Sequence, residues 1–397
     1  MRSAREVIIA GAGIGGLTAA LVLARRDFRV TVFEQAERLE EIGAGVQLSP
    51  NASRVLLSLG LGERLQPYVV APEELRVTDA RTGRVLAHAP LGAAATKRYG
   101  APYWVVHRGD LQSMMIDAVE GQPGIELCLG TRVDAFASDP DRIVVFTRAS
   151  GERVEHRGLA LIGADGLWST VREHLGHTDQ QRFAGHTAWR ALVPAAAVPT
   201  ELREPVLNLW LGPGAHLVHY PVRGSKLVNL VAIARDAWRE PGWNAPANGA
   251  DVLARYPTGT WPSSVRAVLE TPQQWQKWAL CDRSPITRWG KGRVTLLGDA
   301  VHPMLPYLAQ GAAMAIEDAA VLAQRLAAAP DNVEAALRGY ERQRRRRTAR
   351  VQRAARRNGM IFHMRGPLAL LRRLAFQAAG GERLTTRYDW LYGWRAE

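Results

Sequence analysis

The stretch Val7 to Glu34, VIIAGAGIGGLTAALVLARRDFRVTVFE, decides the fold. Val7-Ile8-Ile9-Ala10 is a short apolar run and reads as a strand. It breaks into Gly11-Ala12-Gly13-Ile14-Gly15-Gly16, a G-x-G-x-x-G turn, and resumes as a helical stretch from Leu17 to Arg25. A second strand, Arg29 to Phe33, ends on Glu34. Gly11 permits the tight turn, Gly13 lets a pyrophosphate approach the backbone, and Gly16 lets helix and strand pack closely. The helix N-terminus offers unpaired N–H groups and a positive dipole end to phosphates. Glu34 lies 18 residues after Gly16, where a carboxylate can accept hydrogen bonds from ribose hydroxyls. The unit predicts a dinucleotide site without saying which dinucleotide.

Working outward, 397 residues can bury a large core, in two domains plus a tail. Hydrophobic content of 47% and charged content of 22% match a soluble globular protein. No apolar run reaches the ~18 residues of a membrane span. A strand that starts by residue 7 leaves no room for a signal peptide. Cys128 and Cys281 lack ligand-like neighbours, so a reducing cytoplasm is the expected location. The net charge is +13, concentrated between Arg338 and Arg357, with Arg344-Arg345-Arg346-Arg347 at its centre. A solvated helix face is the first reading. Docking of an anionic cofactor or an anionic lipid surface is the second. No nucleic-acid module interleaves aromatics with these arginines.

The expected fold class is α/β. Residues 1–72 read as β-α-β with a following helix at Asn51 to Leu59, and Gly43 to Leu48 as a small-residue loop. Residues 73–100 read as short strands, and 101–177 as a strand, a helix from Gly109 to Glu120, a hairpin-like stretch from Glu126 to Thr147, and the strand Leu159 to Ile162. From 178 to 280 the alternating segments, with a Pro/Trp-rich loop (Pro241, Trp243, Pro257, Trp261, Pro262), suggest an inserted antiparallel-sheet domain. Residues 281–330 return to strand and helix, and 331–397 form a helical C-terminal region. The ending, with Tyr388, Trp390, Leu391, Tyr392 and Trp394, is apolar enough to pack on the body or on a second subunit. Monomer and homodimer are both compatible with it.

Only one G-x-G-x-x-G occurs, so one nucleotide is resident and any second docks transiently. Gly163-Ala164-Asp165-Gly166 and Gly298-Asp299 each close a strand with an acidic residue at its C-terminal edge, where open α/β sheets bind ligands. Taken singly, each aspartate is equally a helix cap. His216 and Tyr220 share a strand face, because i and i+4 point the same way, while His219 points the other. That pair can hold and deprotonate a phenolic substrate, or it is a half-buried cross-strand pair. No histidine has partners at metal-ligand spacing, and no G-x-S-x-G occurs.

The three motifs, in that order, resemble those of the single-component FAD-dependent aromatic hydroxylases, with the p-hydroxybenzoate hydroxylase fold, over nearly the whole chain. The stretch His302 to Asp318 is most similar to salicylate hydroxylase, 3-hydroxybenzoate 6-hydroxylase and 6-hydroxynicotinate monooxygenase. The resemblance implies a Rossmann-like FAD-binding domain made of 1–72, 101–177 and 281–330, with a substrate domain made of 73–100 and 178–280. It implies bound FAD, transient NADH or NADPH, and O₂ consumed through a flavin C4a-hydroperoxide. Cofactor contacts are expected at Gly11, Gly13, Ile14, Gly15, Gly16, Glu34, Gln35, Gly45, Val46, Arg108, Asp165, Asp299, Pro306, Gly311 and Ala312.

The helix at Gly311 would aim its N-terminus at the flavin pyrimidine edge, worth roughly 0.3–2 kcal/mol for a negative charge there. The resemblance makes His216 and Tyr220, before Pro221, the catalytic pair, with Gln47 and Pro306 also at the substrate. Pro306 stands where 3-hydroxybenzoate 6-hydroxylase has a glutamine, which moves weight toward a salicylate-like acid. The 3-hydroxybenzoate and 6-hydroxynicotinate activities, an FAD-linked reductase or epoxidase, and a flavin-binding module docked on a polyanion stand as alternatives.

Overall fold

The computed structural model describes residues 5–38, 45–139, 141–240 and 242–396. Gly43, Ala44 and Pro241, parts of two expected loops, lie outside these residues. A six-stranded sheet runs in the order Gly290–Lys291, Val294–Leu296, Ala160–Gly163, Glu6–Ala10, Arg29–Phe33, Ile125–Cys128. All its pairs are parallel except the short Gly290–Lys291 edge. Val7, Ile8, Ile9, Leu161 and Ile162 are buried. Strands covered on both faces read as continuous apolar runs, which is why these segments stood out in the sequence. The Ile14–Ala24 and Gly311–Ala328 helices, both rich in small and apolar residues, pack against each other.

An eight-stranded sheet forms the second layer, in the order Asn244–Ala247, Trp275–Asp282, Arg182–Pro194, Leu227–Arg235, Ala215–Val222, Val206–Leu211, Glu74–Asp79, Val85–Pro90. It is antiparallel except where Val206–Leu211 runs parallel to Glu74–Asp79. The α/β class with an added antiparallel sheet and a helical C-terminal region is therefore the observed fold.

Several local expectations need correction. Gly45–Leu48 is a strand paired with Trp104–His107, where a loop was expected. The expected hairpin from Glu126 is divided: Ile125–Cys128 joins the parallel sheet, and the antiparallel meander is Thr131–Ser138, Ile143–Ala149 and Glu152–Gly158. Gly92–Tyr99 forms a helix within the 73–100 stretch that was read as short strands.

The arginine run is not a uniformly solvated face. Arg344 is buried and pairs with Glu317 and Asp318, and Arg347 pairs with Glu317. Two fully buried carboxylates require counter-charges, and the run supplies them. Arg342, Arg346, Arg353 and Arg357 are exposed. The last helix, Asp389–Tyr392, lies on the body of its own chain, with Tyr392 edge-on to Tyr99 and Tyr103 at ring separations of 5.7 and 5.9 Å. Among the described residues, no helix is long and apolar enough to cross a membrane, and no three acidic, His or Cys side chains are placed to hold a metal.

Candidate active site

Three adjacent parallel strands end at Ala10, Gly163 and Leu296, and the turns after them open on one cavity of about 450 Å3. The cavity runs from this sheet edge to the face of the eight-stranded sheet that carries His216 and Tyr220. Of the expected site residues, Gly13, Ile14, Gly15, Gly45, Val46, Gln47, Arg108, His216, Tyr220, Asp299, Pro306, Gly311 and Ala312 line it together. Gly11, Gly16, Glu34, Gln35 and Asp165 stand outside its wall.

The glycines have distinct jobs. Gly11 has φ +103°, and a Cβ there would lie 2.5 Å from the Ala164 carbonyl oxygen. A Cβ on Gly16 would lie 1.9 Å from the Gly11 carbonyl oxygen. Those two shape the turn. Gly13 and Gly311 differ, since a Cβ on either would meet nothing within 4 Å. Both sit at helix N-termini that lack a side-chain cap and open on the cavity. Such ends carry unpaired N–H groups and a partial positive charge, suited to anionic groups.

Glu34 ties this turn to the next strand. Its Oε2 accepts from the Ala12 N–H at 2.8 Å and its Oε1 from the Ala36 N–H at 3.0 Å. Asp165 follows the helix-cap reading of a strand-end aspartate. Its carboxylate accepts from Ser169 Oγ at 2.5 Å and from the Val171 N–H at 3.1 Å, so it caps the Thr170–His174 helix instead of facing the cavity. Burial also raises its pKa above the usual carboxylate range.

A buried network holds the Gly311 helix in place. Asn51 Nδ2 donates to Glu317 Oε1 at 2.7 Å, and Gln310 Nε2 donates to Ser49 Oγ at 2.9 Å. Asp318 Oδ2 accepts from the Gly298 N–H at 3.1 Å and lies 2.5 Å from His302 Nε2. The arginine run, the helix and the Gly298-Asp299 turn are thus one electrostatic unit.

At the far end, His216 and Tyr220 are buried on one face of the Ala215–Val222 strand. His219 points away and accepts from Trp210 Nε1 at 3.1 Å. Burial, followed by the neighbouring His363, His186 and Arg372, pushes His216 well below the ordinary imidazole pKa. Burial pushes the Tyr220 phenol up, against the pull of Arg190 and Gln47. Neutral imidazole and protonated phenol are therefore the resting forms. Tyr103 donates to Gln47 Oε1 at 2.7 Å and fixes that amide beside them.

Sequence reading missed Arg190, Tyr307 and His363. Arg190 lines the cavity with its guanidinium 5.2 Å from the Trp278 ring. Its Nε and the Tyr307 hydroxyl, also in the cavity wall, are buried without a protein partner. Arg190 had a signal, as the one charge in the apolar run Trp189 to Pro194. His363, whose Nε2 lies 3.0 Å from His216 Nδ1, had none, being 147 residues away.

An open glycine turn and a second uncapped helix N-terminus on one cavity fit an elongated anionic cofactor such as a dinucleotide. A family model described as FAD binding domain matches residues 4–355, and the chain belongs to that family. A relative from Aquipseudomonas alcaligenes, 3-hydroxybenzoate 6-hydroxylase 1, is 40% identical, covering 98% of this chain and 97% of its own. Klebsiella pneumoniae HpxO complexed with FAD and uric acid superposes with a TM-score of 0.86 at 27% identity, over 98% of this chain and 96% of that one. A salicylate hydroxylase substrate complex superposes at 0.83 with 26% identity, over 100% and 97%. The chain is an FAD-dependent monooxygenase of the aromatic hydroxylase type.

Proposed function

We propose that this monooxygenase hydroxylates a small phenolic aromatic acid held between His216 and Tyr220. One observation carries the reading: these two side chains and the open helix N-terminus at Gly311 share one cavity. Gly13, Arg108, Asp299 and Gly311 would hold the FAD. FAD, when bound, takes a hydride from NADH or NADPH and activates O₂. The chain's own residues do the rest. His216, kept neutral by burial, accepts the hydrogen bond or the proton of the substrate hydroxyl, which raises electron density on the ring. Tyr220, kept protonated, donates to the substrate and orients it. Arg190 supplies a cation for an anionic group, and a guanidinium suits a carboxylate well. The apolar wall from Leu207, Leu209, Val231 and Ile233 excludes water from the reacting carbon.

A salicylate-like acid is the first substrate reading, supported by Pro306, which places an apolar ring in the cavity wall. 3-Hydroxybenzoate is the second, supported by the 40% identical relative. The test is stimulation of NADH oxidation by salicylate, 3-hydroxybenzoate and 6-hydroxynicotinate, with the product identified. Stoichiometric hydroxylated product supports the proposal. Oxidation that no phenolic acid stimulates rejects it.

A further inference from the structure

We propose that His363 is a positioning residue that selects the tautomer of His216, leaving the His216 Nε2 lone pair for the substrate. This deepens the reading of His216 above and rests on it. His363 follows the Val333–Phe362 helix as its C-cap, directly after Phe362, which lines the substrate end of the cavity.

The argument is a chain of donors and acceptors. His363 Nδ1 lies 2.8 Å from the Gly359 carbonyl oxygen. A carbonyl only accepts, so Nδ1 carries the hydrogen. The Ile233 carbonyl also acts on this ring, but burial, with His186 beside it, pushes His363 to about 3, so the ring is neutral near pH 7. A neutral ring has one N–H, and Nε2 is therefore an acceptor. It sits 3.0 Å from His216 Nδ1, so His216 Nδ1 is the donor. His216 is itself neutral, and its lone pair falls on Nε2. The hydrogen bond at one ring nitrogen fixes the state of the other.

The rings are held against rotation. His186 stacks on His363 with centroids 4.1 Å apart, and His216 packs against Phe362 and Tyr307 at 5.3 and 5.7 Å. The Tyr256 hydroxyl donates to the His216 carbonyl at 2.8 Å and anchors its backbone. A histidine without the His363 contact could place its hydrogen on either nitrogen. Half of that choice presents a donor where the substrate hydroxyl needs an acceptor.

The test uses the FAD-loaded protein. Nitrogen-15 NMR of His216 should show a protonated Nδ1 and an unprotonated Nε2. His363→Phe keeps the stacking on His186 and removes the acceptor; it should lower coupled hydroxylation by about 10-fold or more, with FAD content and KM for NADH unchanged. His363→Gln restores an acceptor and should recover most of that loss. A His216 carrying its hydrogen on Nε2, a His363→Phe protein that turns over like the parent, or a His363→Gln protein as impaired as His363→Phe would each overturn the inference. His216→Ala in the same assay separates the two claims. If it is silent, the reading of His216 falls and this inference with it; if it is impaired while His363→Phe is not, only the role of His363 falls.

Discussion

The Cβ that Gly45 lacks would lie 2.5 Å from the Tyr220 hydroxyl, so the phenol occupies space that only glycine leaves open. Gly45 belongs to the strand that also carries Val46 and Gln47 into the cavity, and its N–H donates to Asn229 Oδ1 at 2.7 Å. The strand and the substrate sheet thus meet at Tyr220. Gly45→Ala should push the phenol out of position. Because a shift near 1 Å at a reacting group is costly, kcat/KM for the aromatic acid should fall by about 10- to 100-fold. Gly45 lines the same cavity as Gly13 and Gly311, so FAD content is read separately: a colourless variant would place Gly45 at the cofactor, and a yellow one with the kinetic loss would place the effect at Tyr220. Steady-state kinetics beside the 450 nm absorbance distinguishes the two effects.

Arg344 answers for two buried carboxylates at once, Glu317 and Asp318, each at 2.6 Å. Removing one partner of a buried ion pair costs about 3–5 kcal/mol, because a charge is left without compensation. Arg344→Leu should therefore lower the urea midpoint sharply and release FAD, since Asp318 also holds Gly298 and His302. Arg346→Leu, on the exposed side of the same helix, should change stability by no more than about 0.5 kcal/mol.

These two arginines also show where sequence reading stops. The fold was legible because its evidence is contiguous: Val7 to Glu34 contains strand, turn, helix and strand in one run. The shared face of His216 and Tyr220 was legible for the same reason, since strand alternation puts positions four apart on one side. The arginine run looked solvated because a charge pattern in one dimension does not reveal that Glu317 and Asp318 lie buried beneath it. Asp165 was open to two readings, because a strand-end aspartate beside a nucleotide and a capping aspartate have the same spelling, and its bonds to Ser169 and Val171 show the cap. Arg190 joins the cavity, and His363 joins His216 behind its wall, only through tertiary packing, and no local period announces that.

Buried histidines give the protein a defined response to acid. Burial pushes His219 and His363 to about 3, against an ordinary value near 6.5. The unfolded chain therefore binds protons that the folded chain refuses. Stability from this source is fully present above pH 6.5 and is lost as pH falls from 6.5 toward 3. Each such histidine steepens the decline by up to about 1.4 kcal/mol per pH unit. His219 faces away from the cavity, so His219→Gln, with its amide oxygen as acceptor for Trp210 Nε1, tests the point cleanly. Between pH 6 and 5, urea unfolding of the variant should lose stability less steeply than that of the parent. Parallel curves would show that His219 does not stay neutral in the fold.

Gly13 and Gly16 lie in the same turn yet should respond oppositely to a methyl group. At Gly16 a Cβ would sit 1.9 Å from the Gly11 carbonyl oxygen. Backbone on both sides cannot yield that distance, so Gly16→Ala should fail to form the turn and should accumulate as insoluble or unfolded protein. At Gly13 the backbone is ordinary, with φ −71°, and a Cβ meets nothing within 4 Å. Gly13→Ala should fold with an apo-protein stability within about 1 kcal/mol of the parent, the usual scale for a tolerated glycine replacement. The new methyl would stand where the FAD pyrophosphate must approach the N–H groups of the Ile14–Ala24 helix. The variant should therefore purify with a circular dichroism spectrum like that of the parent but with little yellow colour, and added FAD should bind at least about 10-fold more weakly, the loss expected from about 1.4 kcal/mol of blocked contact. Full FAD occupancy in Gly13→Ala would mean that the pyrophosphate does not rest on this turn.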